Sequence, residues 1–456
     1  MEFTTEELAA IAEQMAQLCA QKIVRKENRQ IMVLEDGLRQ GMQKLGGLVL
    51  TKTLSQADRE LGRELPCQCG GDLHYQRTRA AKIESVFGWI SYPRSYYAAC
   101  QCGTGKAPLD DEFGLKPGEI TPGLGRLLAL AGSGLAFGES AGWIKEFLLL
   151  DMSENSIRQE TQGFGQFRVD SEEKWRTQCQ DEVYLQERLR QETEQPEQLY
   201  GSLDGAHVRI EDPDEEEEWR ELKTGCWYRV ETVPASQHTQ RHHQKAALGQ
   251  QALRATDQQY YGDIQEVDEF ETLFWATGCR AKADLAKELV FLGDGAKWIW
   301  RLVETYFPHA VQIIDWHHAE ERLEKVAKDV FSRGTHRDTW LETTRTALWW
   351  GNVACVIRAC EALNHRSEEA AAALTYFRNN QHRMQYDHFR EQGYMIGSGT
   401  IESACKQIVS HRLRCSGAQW TVEGARLTGK ARAAWLSHNN DWNHLCSLRT
   451  GLPLAA

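Results

Sequence analysis

Between residues 199 and 315 the hydrophobic pattern changes period repeatedly, and this stretch constrains the fold most. Leu199–Ile210 reads as a strand with Asp204 inside it, and Lys223–Val233 as a second strand. Thr272–Thr277 reads as a third, followed by a helix over Lys282–Glu288. Leu289–Gly293 is a fourth strand ending on Asp294, Ala296–Phe307 a helix, and Ala310–Ile314 a fifth strand ending on Asp315. Short β-branched and aromatic runs alternating with helical ones predict an α/β core with the order βββαβαβ.

A later stretch, Gly397–Trp420, belongs with that core. Ile401, Ala404, Cys405, Ile408, Val409 and Leu413 fall at i, i+3, i+4, i+7, i+8 and i+12, which is one buried face of an α-helix. Gly397 and Gly399 permit a sharp turn into it, and Thr400 can cap its first turn. Glu402 in the first turn is followed by Lys406, Gln407 and Ser410, drifting towards Arg414. That face suits a metal-binding carboxylate with cations for a phosphate backbone, or simply a solvated amphipathic helix.

With 456 residues the chain has room for two to four domains. No run of 18 apolar residues predicts a membrane span, and Met1–Glu7 lacks the basic and apolar segments of a secretory signal. Thirteen cysteines, an odd number, point to reduced thiols inside a cell. The net charge of −12 argues against nucleic-acid binding only if it is spread evenly. It is not: Asp151–Glu221 holds 21 acids against 8 Lys or Arg, whereas Tyr394–Ala456 has 7 Lys or Arg against 3 acids. Arg63–Lys106 is also basic, with 6 against 3. The acidic run Asp212–Glu218 reads as a solvated loop.

In chain order, residues 1–62 form an N-terminal helical region. Leu8, Ile11, Met15, Leu18 and Cys19 make an apolar stripe, which Met32, Leu34, Leu38, Met42 and Leu45 extend, and Gly46-Gly47 interrupts the helix. The stripe can pair with a second chain or pack within its own domain. Residues 63–115 carry Cys67-Gln-Cys69-Gly and Cys100-Gln-Cys102-Gly at the ends of a hairpin turning at Gly88. Four thiolates in that arrangement suit a structural Zn²⁺, although both pairs are C-x-C where knuckles are usually C-x-x-C; buried reduced cysteines are the alternative. Arg77, Arg79, Lys82 and Arg94 in the same module suit phosphate contacts. Residues 116–170 contain helices over Gly123–Ala131 and Ser140–Leu150, then a third capped by Ser153. This pattern fits a helix-turn-helix or any three-helix packing unit. A charged helix, Ser171–Glu194, lies in a linker over 171–198. The core begins over 199–317, an all-helical insertion rich in Trp occupies 318–392, the Glu402 helix lies in 393–440, and 441–456 is a loose tail.

The order βββαβαβ with these acids is the RNase H-like arrangement. In that fold the end of the fourth strand lies beside the middle of the first, and a late helix lays its first-turn acid across both. Asp204, Asp294 and Glu402 would then form three converging carboxylates for Mg²⁺ or Mn²⁺, the donor set of two-metal phosphodiester chemistry. Ser202-Leu-Asp-Gly, Leu292-Gly-Asp-Gly-Ala, Ile314-Asp-Trp-His-His-Ala-Glu-Glu and Ile396-Gly-Ser-Gly-Thr-Ile-Glu-Ser-Ala-Cys-Lys resemble the DDE transposases of bacterial insertion sequences, in particular the ISKra type. Gly424-Ala-Arg and the cysteine ribbon before Ala107-Pro-Leu-Asp also fit, so the resemblance covers roughly residues 60–440.

The resemblance implies that Asp204, Asp294 and Glu402 are catalytic metal ligands, that the N-terminal modules recognise element ends, and that Asp315 and His318 support the active site. It implies a cytoplasmic, nucleoid-associated enzyme acting on transposon ends and target DNA, with at least two copies for synapsis. Lys406, Arg412 and Arg414 would line the DNA path, or lie on a solvated face. Trp349 and Trp350 would stack on a distorted base, or pack in a core. A structure-specific nuclease needs the same residues, and a DNA-binding protein with a silent core is the reading from another class.

Overall fold

The computed structural model describes residues 4, 9, 11–17, 20, 31–58, 61–234, 251–397 and 399–450. Within the N-terminal stripe, Leu8, Leu18 and Cys19 lie outside the described residues. The chain divides into two compact units. One comprises residues 1–131, 137–160 and 449–453, the other residues 132–136, 161–448 and 454–456.

The first unit is built on a long antiparallel hairpin. Strands β2 (Asp72–Ser85) and β3 (Gly88–Ala98) pair from Ser85↔Gly88 to His74↔Ala98, and β1 (Glu64–Pro66) adds to the free edge of β2. Gly88 takes φ +87°, the left-handed value its turn position requires. Helix α1 (Ile31–Ala57) packs on this hairpin. Leu54 joins Ala81, Ile83, Ile90, Tyr92 and Leu109 of α2 (Pro108–Phe113) in a buried cluster. The expected break at Gly46-Gly47 does not occur. Helix α1 runs through both glycines, and a Cβ at Gly46 would fall 2.4 Å from the Phe87 ring, so that position lets the ring approach the helix. The glycines serve close packing, at some cost in helix propensity.

Leu124 and Leu128 of α3 (Pro122–Gly134), Ile144 of α4 (Phe137–Leu148) and Ile157 of α5 (Glu154–Gln180) share a second cluster with Leu150 and Met152. Ser153 caps α5 as expected, accepting from the Ser156 N–H at 3.0 Å. The separate spacer helix expected over Ser171–Glu194 is not found. Helix α5 continues unbroken to Gln180, and Asp181 then caps α6 (Glu182–Gln191).

The second unit holds a five-stranded sheet. Its strands are β4 (Gln198–Arg209), β5 (Trp219–Pro234), β6 (Gln251–Asp263), β7 (Glu288–Gly293) and β8 (Val311–Ile314), in spatial order β6-β5-β4-β7-β8. The first three are mutually antiparallel; β7 and β8 run parallel to β4. Helix α7 (Val267–Arg280) connects β6 to β7, and α8 (Lys297–Tyr306) connects β7 to β8. Between them lies an aromatic core in which Trp227 meets Tyr261, Phe274, Phe291 and Phe307.

The order βββαβαβ holds, but two of its parts were misplaced. Thr272–Thr277 is helix, not strand: Phe270, Leu273, Phe274 and Thr277 are buried at i, i+3, i+4 and i+7 of α7. The third strand is the polar segment β6, an edge strand that pairs only with β5 and carries a bulge near Asp257 (φ +53°). Lys282–Glu288 is a turn leading into β7 rather than a helix.

Helices α9 (Trp316–Val330), α10 (Thr335–Trp349), α11 (Val353–Glu361), α12 (Glu368–Asn379) and α13 (Tyr386–Glu391) form the expected helical insertion. The Glu402 segment starts as α14 (Gly399–Cys405) but widens into a π-helix over Lys406–Leu413, so it is not one regular α-helix. Thr400 lies inside α14, not at its cap. Helix α15 (Val422–Leu436) follows. Residues 441–450, expected as loose tail, form α16 (Asp441–Thr450), whose Asp441 is buried against Arg168. Lys430 of α15 pairs with Glu172 of α5 at 2.5 Å and Asp263 of β6 at 2.7 Å, and Arg168 with Glu172 at 2.8 Å. Among the described residues no helix is long and apolar enough to cross a membrane.

Candidate metal centres

Strand register brings three acids to one edge of the sheet. Leu203 pairs with Gly293, and Gly293 with Ile314. Asp204, Asp294 and Asp315 therefore follow equivalent positions on three adjacent parallel strands. The Asp315 N–H donates to the Gly293 carbonyl at 2.9 Å, fixing the last of these alignments. Helix α14 packs over β4 and β5, bringing Glu402 and Cys405 to the same end.

Each acid has a defined setting. Asp204 is half-buried; burial raises its carboxyl above the usual range, and the nearby Asp294 carboxylate adds to the effect. Hydrogen bonds from the Gly205 N–H, at 2.8 Å, and from the Cys405 thiol oppose that rise. Asp294 accepts from the Ala296 N–H at 2.8 Å, and its carbonyl accepts from the Tyr376 hydroxyl at 2.9 Å. Asp315 is fully buried and caps α9, accepting from both the His318 N–H at 2.9 Å and His318 Nδ1 at 2.8 Å. That ring contact raises His318 to about 9, with Asp294 and Asp204 contributing. With Nδ1 held by a carboxylate, Nε2 is the nitrogen left for a ligand. Glu402 is half-exposed, 3.7 Å from Lys406.

Ligand atoms of Asp315, His318 and Glu402 lie within 4.8 Å of one another, a group that can hold a metal ion. The trio expected from sequence, Asp204, Asp294 and Glu402, is not itself such a group. Asp204 and Asp294 are instead electrostatic neighbours of His318. Four carboxylates and one imidazole at one sheet edge suit a divalent cation with oxygen preference. Cys405 and Tyr376 were missed from sequence. Cys405 had a signal, lying one helical turn after Glu402; Tyr376, 82 residues after Asp294, had none.

The cations expected along a DNA path divide. Lys406 is largely exposed, and Arg414 is exposed with its Nε donating to the His207 carbonyl at 2.6 Å. Arg412 cannot face a ligand. It is 1% exposed, donates to the Gly132 carbonyl at 2.7 Å and lies over the Trp420 ring. Its position, i+11 from Ile401, returns to the buried face of the α-helical wheel, a sign that was available in the sequence. Trp349 packs edge-on against Trp316, with ring centroids 5.0 Å apart, whereas Trp350 is exposed.

In the first unit, the sulfurs of Cys67, Cys69, Cys100 and Cys102 also lie within 4.8 Å of one another. Cys67 is 3.5 Å from Cys102 and Cys69 is 3.3 Å from Cys100. A tetrahedral zinc–thiolate site has sulfur edges of about 3.8 Å, given Zn–S bonds near 2.3 Å, so the group fits a zinc module. The C-x-C spacing works because Gly70 (φ +88°) and Gly103 (φ +76°) turn the chain back, donating to the Cys67 and Cys100 carbonyls at 3.0 and 2.9 Å. Hydrogen bonding to the Thr104 side chain and backbone lowers Cys102 to about 6, whereas hydrogen bonds among the thiols raise Cys67 and Cys100, so with no metal bound Cys102 is the thiol of these three that ionises first. Along β2, Arg77, Arg79 and Lys82 are exposed, and Arg79 stacks on Tyr96. Arg94 is withdrawn from any phosphate role, as it pairs with Asp110 at 2.7 Å.

No curated protein matches this chain. Residues 249–445 match the profile of a protein family described as uncharacterised, UPF0236. The matched stretch contains Asp294, Asp315, His318 and Glu402, and leaves out Asp204 and the four cysteines.

Proposed function

We propose that the chain is a DNA transposase of the DDE type, cutting and joining phosphodiester bonds at an RNase H-like core. The observation that carries this reading is the alignment of Asp204, within β4, with Asp294 and Asp315, just past the ends of the adjacent β7 and β8, together with Glu402 brought close to Asp315 and His318 by a late helix. The sheet order supports the RNase H-like assignment: three antiparallel strands, then two parallel ones on the far side of the first. The DDE-type resemblance of the segments around these acids supports it independently.

In this reading Asp204, Asp294 and Glu402, with Asp315 and His318 beside them, hold Mg²⁺ or Mn²⁺. Bound there, divalent cations would activate the attacking oxygen and stabilise the leaving one. The chain's own part is positional. Cys405 and Gly205 hold the Asp204 carboxylate, Ala296 holds Asp294, and Asp315 fixes the His318 ring. His318, its Nδ1 held by Asp315, has two exclusive uses: neutral, its Nε2 would ligate a metal, and protonated, which the neighbouring carboxylates favour while no cation is bound, it would donate to a phosphate oxygen instead. The cysteine module, the three-helix cluster and exposed Arg77, Arg79 and Lys82 provide the end-binding surface. The exposed apolar side chains of α1, including Met32, Leu38 and Met42, support pairing of two copies.

The test is cleavage of linear DNA carrying candidate element ends with Mg²⁺ or Mn²⁺, comparing wild type with Glu402→Gln. End-specific cleavage and joining in the wild type, reduced at least a hundredfold in the variant, is expected. Cleavage without end preference would replace the transposase with a general nuclease. End binding without any cleavage would leave a DNA-binding protein.

A further inference from the structure

A cleft of about 870 Å³ opens in the second unit directly beside Asp294, between α8 and the α12 region. Gly295, the residue after Asp294, lines it, as does Tyr376, whose hydroxyl holds the Asp294 carbonyl. Lys297, Arg301, Arg322 and Arg383 also line it. Arg383 is taken by Glu304 at 2.5 Å and Arg301 by Asp268 at 2.8 Å. Lys297 and Arg322 have no carboxylate partner among the described residues. Trp300, 4% exposed, forms part of the wall, and its indole N–H has no acceptor among the described residues.

The chemistry is that of an anion site. Both aromatic faces at the cleft already carry guanidinium groups: Arg322 lies 5.2 Å from the Tyr376 centroid and Arg383 lies 4.5 Å from that of Trp300. The N–H groups of Arg383 are taken by Gln312, Asn380 and Glu304, whereas Arg322, over the Tyr376 face, has none of its N–H groups in an ion pair among the described residues and can offer them to phosphate oxygens. Base stacking on those faces is correspondingly disfavoured, and backbone contacts are favoured. The volume greatly exceeds one phosphate and suits a nucleotide-sized segment.

We propose that this cleft binds the sugar-phosphate backbone of a single DNA strand next to the phosphodiester held at the acid cluster, with Lys297 and Arg322 as its phosphate contacts. The proposal rests on the transposase reading for its substrate, but its test does not depend on cleavage. The cleft sets the path of the strand: the segment adjoining the reacting phosphate leaves over α8 towards the insertion.

The experiment is fluorescence anisotropy of a labelled single-stranded 12-mer with the full chain, purified without chelator and with no added Mg²⁺ or Mn²⁺, across a salt series. Proteins compared are wild type, the Lys297→Gln/Arg322→Gln double variant, and a Lys325→Gln/Arg333→Gln control that removes the same charge from exposed sites outside the cleft. The cleft variant should lose at least tenfold in affinity. Its slope of log K against log salt should shrink by about 1.4, the value for two lost contacts to a single strand; the control should shift little. Equal losses in both variants, or none in the cleft variant, would overturn the proposal. Displacement of the 12-mer by AMP at an equal concentration of phosphate groups would also overturn it, assigning the cleft to a mononucleotide. Parallel cleavage assays with Mg²⁺ separate the two ideas. End-specific cleavage with wild-type binding in the cleft variant would sink the cleft alone. Loss of binding in that variant, with no cleavage by any protein, would keep the cleft and sink the transposase.

Discussion

Gly201, three residues before Asp204 on β4, shows how tightly the acid edge is tied to the core beneath it. A Cβ there would fall 2.5 Å from the Trp227 ring and 2.6 Å from Phe291. Gly201→Ala should therefore destabilise the protein by about 1–3 kcal/mol, the usual cost of overpacking. A urea midpoint lowered at unchanged m-value would report it. An unshifted midpoint would mean that the two rings can yield. The neighbouring chemistry is sparing: Asp315 is at once a helix cap and the partner of the His318 ring, so one buried carboxylate orients a potential ligand and starts α9. The sequence marked Asp204 inside a strand, Asp294 and Asp315 at strand ends and Glu402 in a helix first turn, while His318 was singled out only through the family resemblance. Their grouping was less legible. The sequence expectation joined Glu402 to Asp204 and Asp294, whereas ligand atoms close enough to share one ion belong to Asp315, His318 and Glu402. Side-chain reach after a strand end depends on turn geometry, which sequence spacing does not carry.

Among elements, the cysteine hairpin makes the plainest prediction. Its four thiols bring the chain together between Cys67 and Cys102, and the short β1 strand, paired with β2, ends next to Cys67. The purified protein should contain about one zinc per chain by elemental analysis. Cys67→Ser/Cys102→Ser should lose the metal and weaken the first unit, seen as a lower-temperature transition in calorimetry. A metal-free wild type with the same transition as the variant would mean that the cysteines are only reduced packing residues. What defeated sequence reading at this scale was ambiguity of period. The Thr272–Thr277 run satisfies both a short strand and the buried face of α7, and only the longer window from Phe270 decides it. The true third strand, β6, is polar because its pairing is satisfied on one edge by β5 rather than by burial on two faces. The π-helical widening after Cys405 has no sequence mark we can identify; Arg414 donates to the Val409 carbonyl five residues back, at 2.9 Å.

For the whole molecule, the uneven charge has a counterpart inside the second unit, where Arg168, Glu172, Asp263, Lys430 and Asp441 tie α5, β6, α15 and α16 together. Burial by itself would raise Asp263, yet Lys430 and Arg426 overcome it and hold the carboxyl below its ordinary value; Arg168 does the same for Asp441. A carboxylate lowered in the folded state adds stability that is fully present above its unfolded value, about 4. That stability drains away as pH falls through the lowered, folded value. Asp204 runs in the opposite direction, since burial raises it and its ionisation above the same unfolded value costs the folded state. A variant comparison is needed to isolate the network. Thermal midpoints of wild type should change little through Asp263 between about pH 5 and 7 and fall below about pH 4. Asp263→Asn removes one of the two buried carboxylates on Lys430, leaving Glu172, and leaves Arg426 only the exposed Glu423, so it should cost less than full loss of a buried partner, about 1–3 kcal/mol near neutrality. Because it no longer loses a charge on acidification, the gap between the two proteins should narrow as pH drops towards 2. Parallel midpoint curves over that range would show that Asp263 is not held low, and that the network binds these helices by packing alone.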